Sequence, residues 1–131
     1  MGRRKDGGQA AAELALVLPV LALIALGCLD LGRAFSVWVT LTNATREGAR
    51  YGCLHPADSA GIVARTEAEM AAAGLPSDAL TVSVTPGAEG GPPVVVTARY
   101  DLQMLTTCLF GAGPRPIQAR TQMAILPGGG S

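Results

Sequence analysis

The stretch GQAAAELALVLPVLALIALGCLDLGR, Gly8 to Arg33, decides how this chain is built. It follows three basic residues, Arg3, Arg4 and Lys5. Residues 9–29 carry a single charge, Glu13. As a helix these 21 residues would span about 32 Å, close to the roughly 30 Å of a bilayer's hydrocarbon. A carboxylate at the mouth of such a helix is costly, so it points to function before structure. The basic end precedes the apolar run, which predicts a cytoplasmic N-terminus and an exported remainder. Pro19 removes one backbone donor within the span, a loss that membrane segments tolerate when neighbours compensate. At the exit, Asp30 and Arg33 read as a plain i,i+3 ion pair worth a few tenths of a kcal/mol.

The helical pattern continues past the membrane edge. Phe35, Trp38, Leu41, Thr45 and Ala49 recur at three- and four-residue spacing, which predicts one apolar face. Trp38 suits the interfacial belt. Asn43, Arg46, Glu47 and Arg50 fall on other faces, the charged ones either solvated or docked on a sheet. Gly48 and Gly52 have GxxxG spacing, and their position beyond the membrane predicts close packing on a sheet. Gly52, His55 and Pro56 end the helix. One continuous helix of about 40 residues is expected, half in lipid and half amphipathic.

A second helix is expected from Asp58 to Ala73, with Ile62, Val63 and Met70 on its apolar face, ended by Gly74 and Pro76. The period then changes to two: Leu80 to Thr85 alternates, Val94 to Gln103 is rich in β-branched residues, and Ile117 to Leu126 alternates again. Gly/Pro-rich turns separate the three. Three antiparallel strands alone are marginal, but packed on the long helix they can bury one face. The expected class is α+β: a leader at 1–8, a transmembrane segment at 9–32, an extracytoplasmic head at 33–127 that includes the second half of the long helix, and a disordered tail at 128–131.

Composition narrows the function. Of 131 residues 49% are apolar, 15% charged and 4% aromatic, which is poor in charge and aromatics for a soluble enzyme. The net charge is zero; without residues 1–8 it falls to −2, from 7 arginines against 9 acidic residues. There is no basic stripe with interleaved aromatics, so nucleic-acid binding is not expected. No metal-ligand spacing, phosphate loop or nucleophile–base set is present, so no metal, cofactor or catalysis is expected. His55 is the only histidine and reads as a helix-end residue. Cys28 lies in the span, whereas Cys53 and Cys108 lie where oxidation is allowed. A Cys53–Cys108 bridge would close a loop of about 55 residues and contribute about 4 kcal/mol; two unpaired thiols are the alternative.

The start of the chain resembles a type IV pilin-like signal, in which a prepilin peptidase cuts after a glycine. Cleavage after Gly8 would make Gln9 the first residue and Glu13 the fifth. Gly8 to Pro19, Leu31-Gly32-Arg33-Ala34-Phe35 and Asn43-Ala44-Thr45-Arg46-Glu47-Gly48-Ala49-Arg50-Tyr51 together resemble the TadE-like minor pilins (pseudopilins) of tight-adherence, or Flp-type, pili. The resemblance implies a subunit of the bacterial inner membrane, processed at Gly8/Gln9. In an assembly, Glu13 would set register against a neighbour's N-terminal ammonium, and the Arg46, Glu47 and Arg50 face would contact neighbouring subunits. It implies a prepilin peptidase, other pilin or pseudopilin subunits, an assembly platform and the lipid bilayer as partners. Two other readings compete with it. In one, Ala25-Leu26-Gly27-Cys28 serves as a loose lipobox and Cys28 is lipidated. In the other, the chain is a signal-anchored envelope protein with an unknown binding role. The lipobox reading sits badly with a helical pattern that runs on through Cys28.

Overall fold

The structure, a computed structural model, describes residues 5–125, with side chains from residue 8 onward. The first four leader residues, the expected tail at 128–131 and the expected strand end at Leu126 lie outside the described residues. Helix α1 runs unbroken from Lys5 to Leu54, 50 residues with Pro19 inside, or about 75 Å of helix. Its second half carries everything else. Helix α2 covers Ser59–Ala72. Strands β1 (Leu80–Thr85), β2 (Val94–Leu102) and β3 (Arg115–Met123) form an antiparallel sheet in the order β1-β2-β3. The architecture is α+β, as expected: a long helix, a short second helix and three strands against the long one. The third strand begins two residues earlier than the alternation predicts. Pro116, within it, is tolerated because β3 is an edge strand.

The sheet's inner face follows from period-two alternation. Val94, Val96, Ala98, Tyr100 and Leu102 of β2 are all buried. Val82 opposes Ala98 and Val84 opposes Val96 from β1, while Ala119 and Thr121 oppose Ala98 and Val96 from β3. This face closes on α1 through Val37, Leu41 and Ala44 near the middle of the sheet, together with Met70 of α2. Ala49, Ile62, Val94, Val96 and Ile125 form a second cluster at the far end. The buried side of α1 also includes Thr45, whose hydroxyl lies 2.8 Å from that of Thr121 across the helix–sheet interface.

Two expectations about packing are corrected here. Leu41, Thr45 and Ala49 are buried, but Phe35 and Trp38 are exposed. The packed stripe instead passes through Asp30, Val37, Leu41, Ala44, Thr45, Gly48, Ala49 and Gly52, mostly small residues that bring α1 close to the sheet and α2, so the two rings are left on the outside. In α2 the buried positions are Ile62, Thr66 and Met70, with Thr66 rather than Val63 completing the stripe.

Gly48 packs mainly on α2, not on the sheet. A Cβ at Gly48 would collide with the hydroxyl of Thr66 and stand 3.4 Å from the Ile62 carbonyl. A Cβ at Gly52 would meet Ile62 Cδ1 at 2.8 Å and Val94 Cγ1 at 2.9 Å, so only Gly52 serves both helix and sheet. α2 itself starts cleanly because Asp58 accepts from the Gly61 amide at 2.9 Å as its N-cap.

A third helix had no counterpart in the periodicity. Between β2 and β3 the chain forms α3, Leu105–Phe110, ended by Gly111 in the left-handed conformation at φ 69°.

Candidate functional site

The apolar half of α1 projects with almost no cover. Its most apolar window has a mean hydropathy of 2.5, and only 6% of that window is buried against the rest of the chain. Leu14, Leu16, Leu21, Ile24 and Leu29 all stand exposed. This is one long apolar N-terminal helix of the kind that anchors a chain in a membrane. Within it, the Gln9 side-chain amide donates to Glu13 at 3.2 Å, one turn away on an exposed face. Glu13 has no other polar partner among the described residues. Gly8 has open space where a side chain would be, so the backbone at the candidate cleavage point is sterically accessible.

At the other end of the span, Asp30 does something its spacing to Arg33 did not predict. It is 4% exposed, and its carboxylate accepts from the Leu105 amide at 2.7 Å, the Thr106 amide at 2.7 Å and the Thr106 hydroxyl at 2.6 Å. Asp30 is thus the cap of α3, supplied from another element; the residue preceding α3, Met104, makes no side-chain cap bond. Arg33 lies 3.8 Å from the same carboxylate, on a half-exposed side chain. The plain exit pair is therefore corrected: three short bonds to a charged acceptor outweigh one long, solvated ion pair.

The Arg46, Glu47 and Arg50 face is partly tied to α2. Glu47 lies 3.3 Å from Arg65 and 3.9 Å from Arg50. Arg46 and Arg50 are exposed, and with Asn43, Glu47, Glu69, Thr121 and Met123 they border an open groove of about 510 Å³. The groove gathers both signs of charge, which suits contact with a polar surface better than capture of an apolar ligand.

The cysteines are not brought together. Cys28, Cys53 and Cys108 are all free. Cys53 sits at the far end of the sheet, its thiol 3.7 Å from the Ala124 carbonyl, and burial pushes that thiol's pKa up. Cys108 lies in α3, which is held at Asp30. The 23 residues from Asp30 to Cys53 correspond to about 35 Å of helix, whereas a disulfide needs Cα atoms within about 7 Å. The structure thus rejects the candidate bridge. His55 stacks on Tyr51 with ring centroids 4.6 Å apart, and the Tyr51 hydroxyl donates to Asp58 at 2.9 Å. The Gly61 amide and then the Tyr51 hydroxyl hold the Asp58 carboxyl below its ordinary range, and the same bond to Asp58 raises Tyr51. These contacts close the α1–α2 corner.

What the sequence did not disclose is the role of Asp30 as the cap of α3, with its partner Thr106. The available signals were Gly111 as a C-terminal stop and an uncharged Leu–Thr–Thr run before it.

Comparison with curated proteins and with solved structures finds no match. A comparison with protein families finds one described as "TadE-like protein", matching residues 8–50. The matched segment begins at the candidate cleavage glycine, passes through Glu13 and Asp30, and ends at Arg50. Residues 8–50 of this chain, the greater part of α1, are therefore similar to the TadE-like family.

Proposed function

We propose that the chain is a minor pilin-like (pseudopilin) subunit that takes part in assembling a bacterial tight-adherence pilus or a related type II-like secretion system. The observation that carries this reading is an exposed, membrane-length helix with one carboxylate, Glu13, on a segment that matches the TadE-like family. In this reading residues 1–8 lie in the cytoplasm and a prepilin peptidase cuts after Gly8. The α1 span holds the subunit in the inner membrane, and the αβ head faces outward. The chain works with other pilin subunits and a membrane platform, and it catalyses nothing.

Glu13 has a physical reason for its place. In the uncut chain its partner is the neutral amide of Gln9. Cleavage creates an ammonium at Gln9, and a neighbour's ammonium offers the carboxylate a charged partner in a low-dielectric setting. Pairing of this kind fixes the axial register of adjacent helices. The mixed-charge groove at Asn43, Arg46, Glu47 and Arg50 supplies a second, polar surface for a neighbouring subunit.

The test uses the producing bacterium. Mass analysis of the membrane form should show loss of residues 1–8. Glu13→Ala should leave that cleavage largely intact and abolish piliation. Normal piliation by the variant refutes the role given to Glu13, and loss of residues 1–27 with acyl chains on Cys28 refutes the pilin reading as a whole.

A further inference from the structure

The connection between β2 and β3 is unusual in composition. From Leu102 to Pro114 it carries no charge, and it is bracketed by Asp101 and Arg115. It folds into α3, whose large side chains turn outward: Leu105 is 44% exposed, Leu109 62% and Phe110 69%. A short helix showing three large apolar residues to water is out of place on a head of this size.

Its position explains the composition. Asp30 grips the start of α3, and the helix then runs back along α1 toward the N-terminus. Leu109 and Phe110 meet Pro19, Ala22, Leu23 and Leu26 around an apolar groove of about 360 Å³. Those α1 residues lie 4 to 11 positions before Asp30, or about 6 to 16 Å down the helix axis. The tip of α3 therefore stands beside the membrane-length segment, at the level of apolar side chains of which Pro19, Ala22 and Leu23 are themselves exposed.

We propose that α3 is a second membrane element: Leu105, Leu109 and Phe110 insert among the acyl chains of the leaflet on the head's side. The inference rests on reading the apolar half of α1 as the membrane span, because whatever surrounds α1 at Leu23 also surrounds Phe110. The polar groups of α3 fit a lipid setting, where unpaired donors are costly. The Leu105 and Thr106 amides and the Thr106 hydroxyl go to Asp30. The Thr107 hydroxyl goes to the Met104 carbonyl, the Cys108 amide to the Met104 carbonyl, and the Ala112 amide to the Thr107 carbonyl. Insertion to this depth is that of an interfacial helix, about 5 to 10 Å past the headgroup boundary. The head is thereby held to the bilayer at two points, α1 and α3, which fixes its rotation about the α1 axis.

The test places one tryptophan at a time in the full chain carrying Trp38→Phe, reconstituted as single copies in nanodiscs of phosphatidylcholine and phosphatidylglycerol, with or without brominated acyl chains. Phe110→Trp exchanges one exposed aromatic for another. Leu21→Trp reports the span, and Ala88→Trp, on the β1–β2 turn at the far end of the sheet, reports the aqueous head. The expected result is a blue-shifted emission at position 110 that brominated chains quench about as strongly as at position 21, with position 88 unquenched. Position 110 behaving like position 88 while position 21 is quenched overturns the inference and leaves the anchor standing. A blue shift at 110 seen only when two copies share a disc assigns the face to a second subunit and also overturns it. Absence of quenching at position 21 overturns the anchor reading itself.

Discussion

Gly48→Ala sets two effects of known size against each other. Alanine in a helix interior is favoured over glycine by about 1 kcal/mol, so on propensity alone the change stabilises α1. Against that, the added methyl collides with the hydroxyl of Thr66, a side chain with no exposed surface. Thr66 cannot yield freely, because its hydroxyl donates to the Ile62 carbonyl at 2.9 Å, and that same carbonyl would sit 3.4 Å from the new carbon. Either Thr66 rotates and loses a bond worth about 1 kcal/mol, or α2 backs away from α1 and loosens Ile62. Overpacking of this kind costs about 1 to 3 kcal/mol. The net expectation is a loss of up to about 2 kcal/mol, with the clash offsetting or outweighing the propensity.

Thermal or denaturant unfolding of the full chain in detergent, followed by circular dichroism, gives the measurement. The decisive arm is the double variant. Thr66→Ala removes the colliding oxygen and leaves Thr66 Cβ as the nearest side-chain atom, at an ordinary 3.5 Å. In that background Gly48→Ala should become neutral or stabilising, a coupling of about 2 kcal/mol. Stability of Gly48→Ala equal to the parent, with strictly additive behaviour alongside Thr66→Ala, would refute the close α1–α2 approach.

Asp30→Ala should speed amide exchange at Leu105 and Thr106 on the order of a hundredfold, because it removes three acceptor bonds at once; Arg33→Ala should change exchange there little, and the reverse ranking would restore the exit-pair role. The Asp58 carboxyl is held low by the Gly61 amide and the Tyr51 hydroxyl. Its contribution is therefore fully present above the unfolded carboxyl's pKa of about 3.9 and is lost as pH falls through the lower folded value. Thermal midpoints recorded from about pH 5 to pH 2 should drop more steeply for the parent than for Asp58→Asn. Parallel curves would remove Asp58 from the acid response.

The parts of this fold visible in the sequence are those whose cause is local. The Leu80–Thr85 alternation, the β-branched run from Val94 and the stop at Gly74 and Pro76 depend on neighbours a few residues away. They mark β1, β2 and the end of α2 closely. α3 is different. Its start is set by Asp30, 75 residues upstream of Leu105, and without that carboxylate the segment carries no N-terminal signal. The same distance hid the role of Asp30, which looked complete as a partner for Arg33. Orientation about α1 was also beyond local reading: spacing alone admits Phe35 and Trp38 to the packed face, and only the narrow gap at Ala44, Gly48 and Gly52 turns them outward. At the processing end, Gly8, Gln9 and Glu13 were legible because their meaning lies in counting.

The head grips α1 from Asp30 through α3 to Gly52 through α2, a length of about 33 Å. Over that length the helix is splinted by a sheet and a second helix. Toward the N-terminus the sheet and α2 end, only the tip of α3 reaches as far as Pro19, and Pro19 leaves the Ala15 carbonyl without its usual helical donor. Bending compliance is therefore concentrated in the shaft and absent from the handle. A sideways load on the head flexes the segment N-terminal to Pro19, beyond the reach of α3, before it disturbs any core contact, so the subunit can tilt as a lever while its head remains folded.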